Sequence, residues 1–336
     1  MVRWITYLLL LFSPLTALAG EEINVYSARQ EHLIRPLLDD FTAKSGITVN
    51  LLTGDADQLL ARLRSEQAAT PADVLLTSDV GRLLAAKAEG MLQPLASPVL
   101  DANIPLALRD PEHMWFGLTL RARVIFYAKD RVKPSELSTY EALAEPVWRK
   151  RLCIRSSGNV YNQSLLAALI LNVGAQNAEA WASGIVANMA RRPQGGDRDQ
   201  IRAVAAGQCD VALANTYYYG GLLTSSDPAD RAAAAAVGLY WPDQQGRGAH
   251  VNISGAGVLR HAPHPAAARA FLEYLSGAEA QGLYAALNHE HPVHPGTATS
   301  PLLDSWGAFK SDPLPLWRLG QESKNALRMF DRVGWR

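Results

Sequence analysis

The stretch CDVALANTYYYGG, residues 209–221, decides the reading of this chain. Its apolar run, Val211 to Ala214, suits a short buried strand bounded by turn residues. The run then meets Tyr217, Tyr218 and Tyr219, and after them Gly220 and Gly221. The expectation is a strand through CDVALANTYYY that breaks at the glycines. Successive strand side chains point to opposite faces, so alternation pairs Tyr217 with Tyr219 and turns Tyr218 away. On that reading two rings pack in a core and one is exposed. The glycines open a second reading, because they let the chain leave extended geometry and swing neighbouring side chains toward one point.

Outward from this stretch, strand and helix patterns alternate. INVYSA (23–28) reads as a strand, and HLIRPLLDDFTAKSG as an amphipathic helix stopped by Gly46. ITVNLLTG is a strand again, and DADQLLARLRSEQ a helix suited to capping by Asp55 or Asp57. PADVLLTSD and VGRLLAAKAEG repeat the pattern. WFGLTLRARVIFYAK (115–129) is too long and too β-rich for a helix, and reads as a strand that leaves one sheet and enters another. A second set follows: CIRSS, three helical stretches, the opening stretch, VGLYWP and HVNISGAGVLR. The predicted class is α/β, a parallel sheet flanked by helices in two halves joined by the long strand. Such sheets bind ligands outside the carboxyl ends of their strands, which is where the tyrosines stand.

Composition narrows the function. Lys+Arg and Asp+Glu both number 32, so no net field points to nucleic acid or an anionic membrane. Residues 1–19 combine one early positive charge, a short apolar run and the small-residue ending Ala17-Leu18-Ala19. This predicts a secretory signal cleaved after Ala19, a mature chain from Gly20 without membrane insertion, and export to the periplasm. In an oxidising compartment Cys153 and Cys209, each beside a strand-like run, are expected to pair. The sequence lacks G-x-S-x-G, G-x-x-x-x-G-K-[ST], H-E-x-x-H and C-x-x-C, so nothing marks an enzyme.

The phenols carry the remaining chemistry. A free tyrosine has a pKa of about 10 and keeps its proton at neutral pH. Only a strongly polarising cation displaces that proton, and ferric iron does so where magnesium and calcium prefer carboxylates and carbonyls. NHEHPVHPG offers a second candidate cluster, His289, His291 and His294, in a proline-broken loop. Loops of this kind carry exposed histidines more often than a zinc or copper site.

The blocks VYSAR, PADVLLTSD, WFGLTLRAR, RSSGNVYNQSL, RPQGGDRDQIRAVAAGQCDVALANTYYYG and HVNISGAGV together resemble the periplasmic ferric-iron-binding proteins of bacterial ABC transporters, over essentially the whole mature chain. The resemblance implies a two-lobed periplasmic-binding-protein fold of class II, hinged on two crossover strands. It divides the chain into a first lobe of residues 20–121 plus 249–297 and a second of 122–248 plus 298–336. It implies Fe(III) bound by the adjacent pair Tyr217 and Tyr218 with Tyr161, and leaves Tyr219 to packing. Gln30 and Glu31 replace the His-Tyr that some members carry after YSAR, and Ser78 replaces a glutamate used by others. The three ligands would then come from the second lobe alone, and carbonate or a similar anion would complete the shell. Arg29 and Arg121 match the anion-holding positions, with Arg123 as the fallback. Ser157, Gly158 and Asn215 are further candidates for positioning, and Glu31 for reaching the metal. The implied partners are an ABC permease and its ATPase, with the binding protein a monomer. Two other readings stay open: a same-fold protein for an organic solute such as a polyamine or thiamine, and a secreted enzyme with the cleft as its active site.

Overall fold

The computed structural model describes residues 21–336, so the predicted signal segment lies outside the described residues. The first elements alternate as their periodicity demands: β1 (Glu22–Ser27), α1 (Glu31–Ser45), β2 (Thr48–Thr53), α2 (Ala56–Glu66), β3 (Val74–Thr77), α3 (Val80–Ala88) and α4 (Pro98–Asn103). Gly46 stops α1 at φ 74°, with its N–H bonded to the Thr42 carbonyl. Asp55 caps α2 by accepting from the N–H groups of Asp57 and Gln58, and Asp79 caps α3 through Gly81. Then come β4 (Phe116–Ala128), β5 (Leu152–Cys153), α5 (Val160–Val173), α6 (Ala175–Asn188), α7 (Asp197–Ala205) and β6 (Val211–Asn215). The chain continues through α8 (Thr216–Leu223), α9 (Pro228–Ala236), β7 (Val237–Tyr240), β8 (Val251–Val258), α10 (Pro265–Ser276), α11 (Ala278–Asn288), α12 (Pro301–Asp304) and α13 (Leu319–Val333).

The strands run in the order β2-β1-β3-β8-β4-β6-β5, with β7 also paired to β4. β1 lies parallel to β2 and β3, as the alternation predicts, but β3 with β8 and β4 with β6, β7 and β8 run antiparallel, so the sheet is mixed and not the parallel one expected. β4 does what its length suggests. Phe116 to Ala122 pair with β8, whereas Arg123 to Ala128 pair with β6 and β7. One strand thereby joins two sheet segments, each with its own core. Ile23, Val25, Leu37, Phe41 and Phe271 fill the first, and Phe126, Val204, Leu222 and Val237 fill the second. β8 enters beside β4, where the Arg123 N–H donates to the His250 carbonyl at 3.0 Å.

A third passage was not anticipated. The His291 N–H donates to the Leu120 carbonyl at 2.7 Å, the Leu120 N–H returns a bond at 2.8 Å, and Ser311 bridges to Ala249. Trp241 stacks on Phe309 at 4.0 Å, and the His291 ring meets Phe309 edge-on at 5.2 Å. The histidine loop is therefore part of the joint between the segments.

The opening stretch needs a correction. Its strand ends at Asn215, and the tyrosines sit in α8. The Asn215 N–H donates to buried Asp197 at 2.9 Å instead of continuing the ladder, and the chain turns helical there. The disulfide Cys153–Cys209, Cα atoms 5.8 Å apart, fastens β5 beside the approach to β6.

Candidate metal centre

A helix advances about 100° per residue, so Tyr217 and Tyr218 remain neighbours while Tyr219 turns to the other side. The rings of Tyr217 and Tyr218 lie 4.1 Å apart, and both are half-buried. Tyr219 is buried against Phe126, and its hydroxyl donates to the carbonyls of Val237 and Ala234 at 3.0 and 3.2 Å. Tyr161, in the first turn of α5, brings its hydroxyl to 3.0 Å from that of Tyr217. Burial, then the neighbouring phenols, pushes the Tyr217 hydroxyl well above its usual range, with Arg121 pulling the other way. Tyr218 is likewise raised, first by burial and then by Tyr161 and Asp197. Both phenols therefore keep their protons at neutral pH.

A charged floor holds the two helices in this relation. Arg123, buried, donates to Asn162 at 2.6 Å, Asn215 at 3.1 Å and Asp197 at 3.3 Å. Asn162 in turn ties down the carbonyls of Arg155 and Ser156. Arg123 is thereby committed beneath the tyrosines, and Asn215 turns its carboxamide oxygen into the same network. The Ser157 carbonyl accepts from Gln163 at 3.0 Å. Arg121 differs. One nitrogen donates to Ser254 at 3.1 Å, while Nε and Nη2 are buried without a partner. Its guanidinium carbon is 5.7 Å from the centre of the Tyr161 ring. Arg29 reaches the cleft with its charge already matched, because Nη1 donates to Ser254 and to Glu290, the latter at 2.9 Å. Glu31 is exposed and pairs with Arg35 one turn along α1.

Two cavities flank the phenols, with volumes of about 350 and 340 Å³. Tyr161, Tyr218 and Ser78 line both, whereas Tyr217 lines only the first. The first also receives Arg29, Gln30, His32, Arg198, His289 and Glu290. The second receives Asp55, Asp57, Asp79, Arg82, Arg155 and Gly158.

The profile of bacterial extracellular solute-binding proteins matches residues 27–282. The chain belongs to that family. It is 49% identical over 326 residues to "Iron uptake protein A1" of Synechocystis, an alignment that covers 96% of this chain and 91% of that protein. A Trichodesmium protein (IdiA, FutA) solved with iron and citrate is 49% identical, with a TM-score of 0.91 over 94% of this chain and all of that one. The apo ferric ion-binding protein A of Pasteurella haemolytica is 44% identical, with a TM-score of 0.88 over 94% of this chain and 98% of that one. As a solute-binding protein the chain has the two-lobed α/β fold of periplasmic binding proteins. Among its described residues no helix is long and apolar enough to cross a membrane.

Sequence reasoning missed four residues of this binding protein's cleft. Glu290 is hidden in the histidine loop, 261 positions from its partner Arg29. Arg155 places its guanidinium carbon 5.9 Å from the Tyr161 ring centre, and Arg198 lies 5.6 Å from that of Tyr218. His32 faces the first cavity just beyond the Gln30-Glu31 pair that drew attention. The three loop histidines disperse. His289 contacts Thr224 at 3.1 Å, His291 enters the aromatic stack, and His294 contacts Thr297 at 3.0 Å. Burial lowers His289 and takes His291 to about 4, so both rings are neutral near pH 7.

Proposed function

We propose that this chain is a periplasmic solute-binding protein that captures ferric iron and delivers it to an ABC permease driven by an ATPase. The observation that carries the proposal is the convergence of Tyr161, Tyr217 and Tyr218, with two hydroxyls 3.0 Å apart and two rings 4.1 Å apart, at the wall of an interlobe cleft. Three phenolates balance the charge of Fe(III), which neutral histidines or water cannot do. The relatives named for iron support the same cargo. The lobes of residues 20–121 plus 249–297 and 122–248 plus 298–336 would close over the ion.

Three protein oxygens leave room in the coordination shell, and an anion such as carbonate would fill it. Arg121 is the better holder, since its two unpartnered nitrogens could donate to the anion or to a phenolate. Arg29 would contribute less, because Glu290 already occupies one of its nitrogens.

The test is a spectral titration of the iron-free protein with a weak ferric chelate. Ferric phenolate ligation predicts a visible charge-transfer band that saturates at one iron per chain. Saturable iron binding without colour would refute phenolate ligation, and no iron binding at all would refute the cargo.

A further inference from the structure

The two glycines that follow the tyrosines each make room for another residue. At Gly221 an added Cβ would sit 3.1 Å from Nη2 of Arg198, a side chain of the neighbouring α7. At Gly220 the room is taken from across the cleft. An added Cβ there would lie 2.6 Å from Cβ and Cγ of His289 and 2.8 Å from its Cδ2, so one of the two partners would have to move. His289 ends α11, and its neighbour Asn288 donates to the Leu33 carbonyl of α1 at 2.9 Å, so this loop belongs to the body built on α1. Gly220 lies in α8, whose Tyr219 packs on Phe126 of the other body. The Thr224 hydroxyl donates to the Gly220 carbonyl at 3.0 Å, which leaves its oxygen to accept from Nε2–H of His289 at 3.1 Å. His289 holds φ at 56°, the left-handed region that disfavours a Cβ and usually takes glycine. The backbone accepts that cost and delivers the ring onto α8.

A second contact crosses at the other cavity. Asp79 caps α3 through the Gly81 N–H at 2.7 Å and is braced on β8 by Asn252 at 2.9 Å. It also accepts from Ser164 of α5 at 2.9 Å. Val160, at the start of α5, comes so near that a Cβ on Gly81 would sit 3.4 Å from its Cγ2. His289 lines the first cavity and Asp79 the second, so the two contacts flank Tyr161 and Tyr218, which line both. Neither contact uses a tyrosine.

We propose that His289 on Gly220 and Asp79 on Ser164 form a two-point clasp across the cleft, which sets how long a captured ion stays without touching it. The proposal deepens the ferric reading, on which it rests for its cargo. With Tyr161, Tyr217 and Tyr218 all on one side, coordination by the phenols does not itself draw the lobes together. Closure then depends on contact between protein groups, and retention separates from coordination. Gly220 and Ser164 are positioning residues in this scheme, acting through the placement of the lobes.

The experiment loads the full-length mature protein with iron and follows the decay of the visible band after excess EDTA is added. Small-angle scattering of the same samples reads compactness. Gly220→Ala should keep the band, enlarge the radius of gyration and release iron about 10-fold faster, in the range of an overpacked contact. Ser164→Ala leaves the cap of α3 and the bond to Asn252 in place. It should also keep the band and release iron about 10-fold faster, as for one lost hydrogen bond to a carboxylate. Gly220→Ala combined with His289→Gly removes the atoms that the new methyl meets. That pair should be more compact than Gly220→Ala alone and release iron more slowly, which a purely local role of Gly220 does not predict. Release within about twofold of wild type in both single variants overturns the clasp, as does a double variant no more compact than Gly220→Ala. A folded Gly220→Ala without the band assigns the glycine to placing the tyrosines and also overturns it. Absence of a band in wild type defeats the ferric reading instead. Scattering then judges the clasp, which stands if Gly220→Ala is more open than wild type and the double variant recovers, and falls if the three do not differ.

Discussion

The two cavities beside Tyr161 and Tyr218 are nearly equal in volume, about 350 and 340 Å³, and differ in the balance of charge that lines them. Arg29, Arg198 and the neutral ring of His289 surround the first, whose carboxylate is already paired with Arg29. Three aspartates enter the second, together with Arg82 and Arg155. Of these, Asp57 pairs with Arg82, and Asp79 caps α3 and accepts from Ser164 across the cleft at 2.9 Å. Only the first contains Tyr217. The difference teaches that phenols alone do not define the approach to the site. If an anion accompanies a metal here, the more cationic lining of the first cavity would favour it over the second.

The strongest test of this asymmetry is Tyr217→Phe. If the metal sits on the first side, the variant should lose most of the visible band. Iron affinity should fall by more than the roughly 10- to 100-fold typical of losing a group that merely supports a ligand. A full band would shift the metal toward the second cavity. Tyr219→Phe is the matched control, and its band should persist despite the lost bonds to Ala234 and Val237.

Asp197→Ala probes the floor common to both sides. It removes the partner of buried Arg123 and the acceptor of the Asn215 N–H. Stripping one member of such a pair costs about 3–5 kcal/mol, and denaturant titration should read that loss. The band should weaken in parallel, because α8 loses its anchor.

Acidification comes next. Burial holds Tyr217 and Tyr218 protonated. If these phenols ligate the metal, binding should release protons, and affinity should fall as pH falls. A pH-stat measurement during loading should approach three protons per iron when all three phenols ligate. A value near one would leave a single phenolate at the metal.

The smallest effect belongs to Asp57→Asn and Glu31→Gln, both at exposed ion pairs. Each should leave band and affinity within about twofold, as surface pairs contribute little. A shifted band in Asp57→Asn would bring the acidic cavity into the coordination shell.

Much of the architecture could be read from the chain itself. Apolar runs and caps located the strands, Gly46 and Asp55 marked helix ends, and the length of WFGLTLRARVIFYAK announced a strand shared by two sheets. The tyrosine stretch misled on conformation for a physical reason. Threonine, tyrosines and two glycines are weak helix formers, and α8 forms because Asp197 and the packing of Tyr219 and Leu222 hold it. Alternation therefore favoured Tyr217 with Tyr219, where one helical step brings Tyr217 to Tyr218. Glu290 and Arg198 escaped because their roles depend on groups far away in sequence or on a missing side chain, neither of which leaves a local pattern.

The Cys153–Cys209 bridge spans 56 positions and joins the segment leading to Tyr161 with the one leading to Tyr217. Without it, β5 and β6 meet through only two residue pairs, Leu152 with Val211 and Cys153 with Ala212. Closing a loop of that length removes chain entropy worth about 4 kcal/mol. The bridge and the Arg123 network restrain the same two segments, so reduction would leave the phenols one of two holds on their spacing. Reduced, thiol-blocked protein should accordingly load iron more weakly than the oxidised form in the same titration.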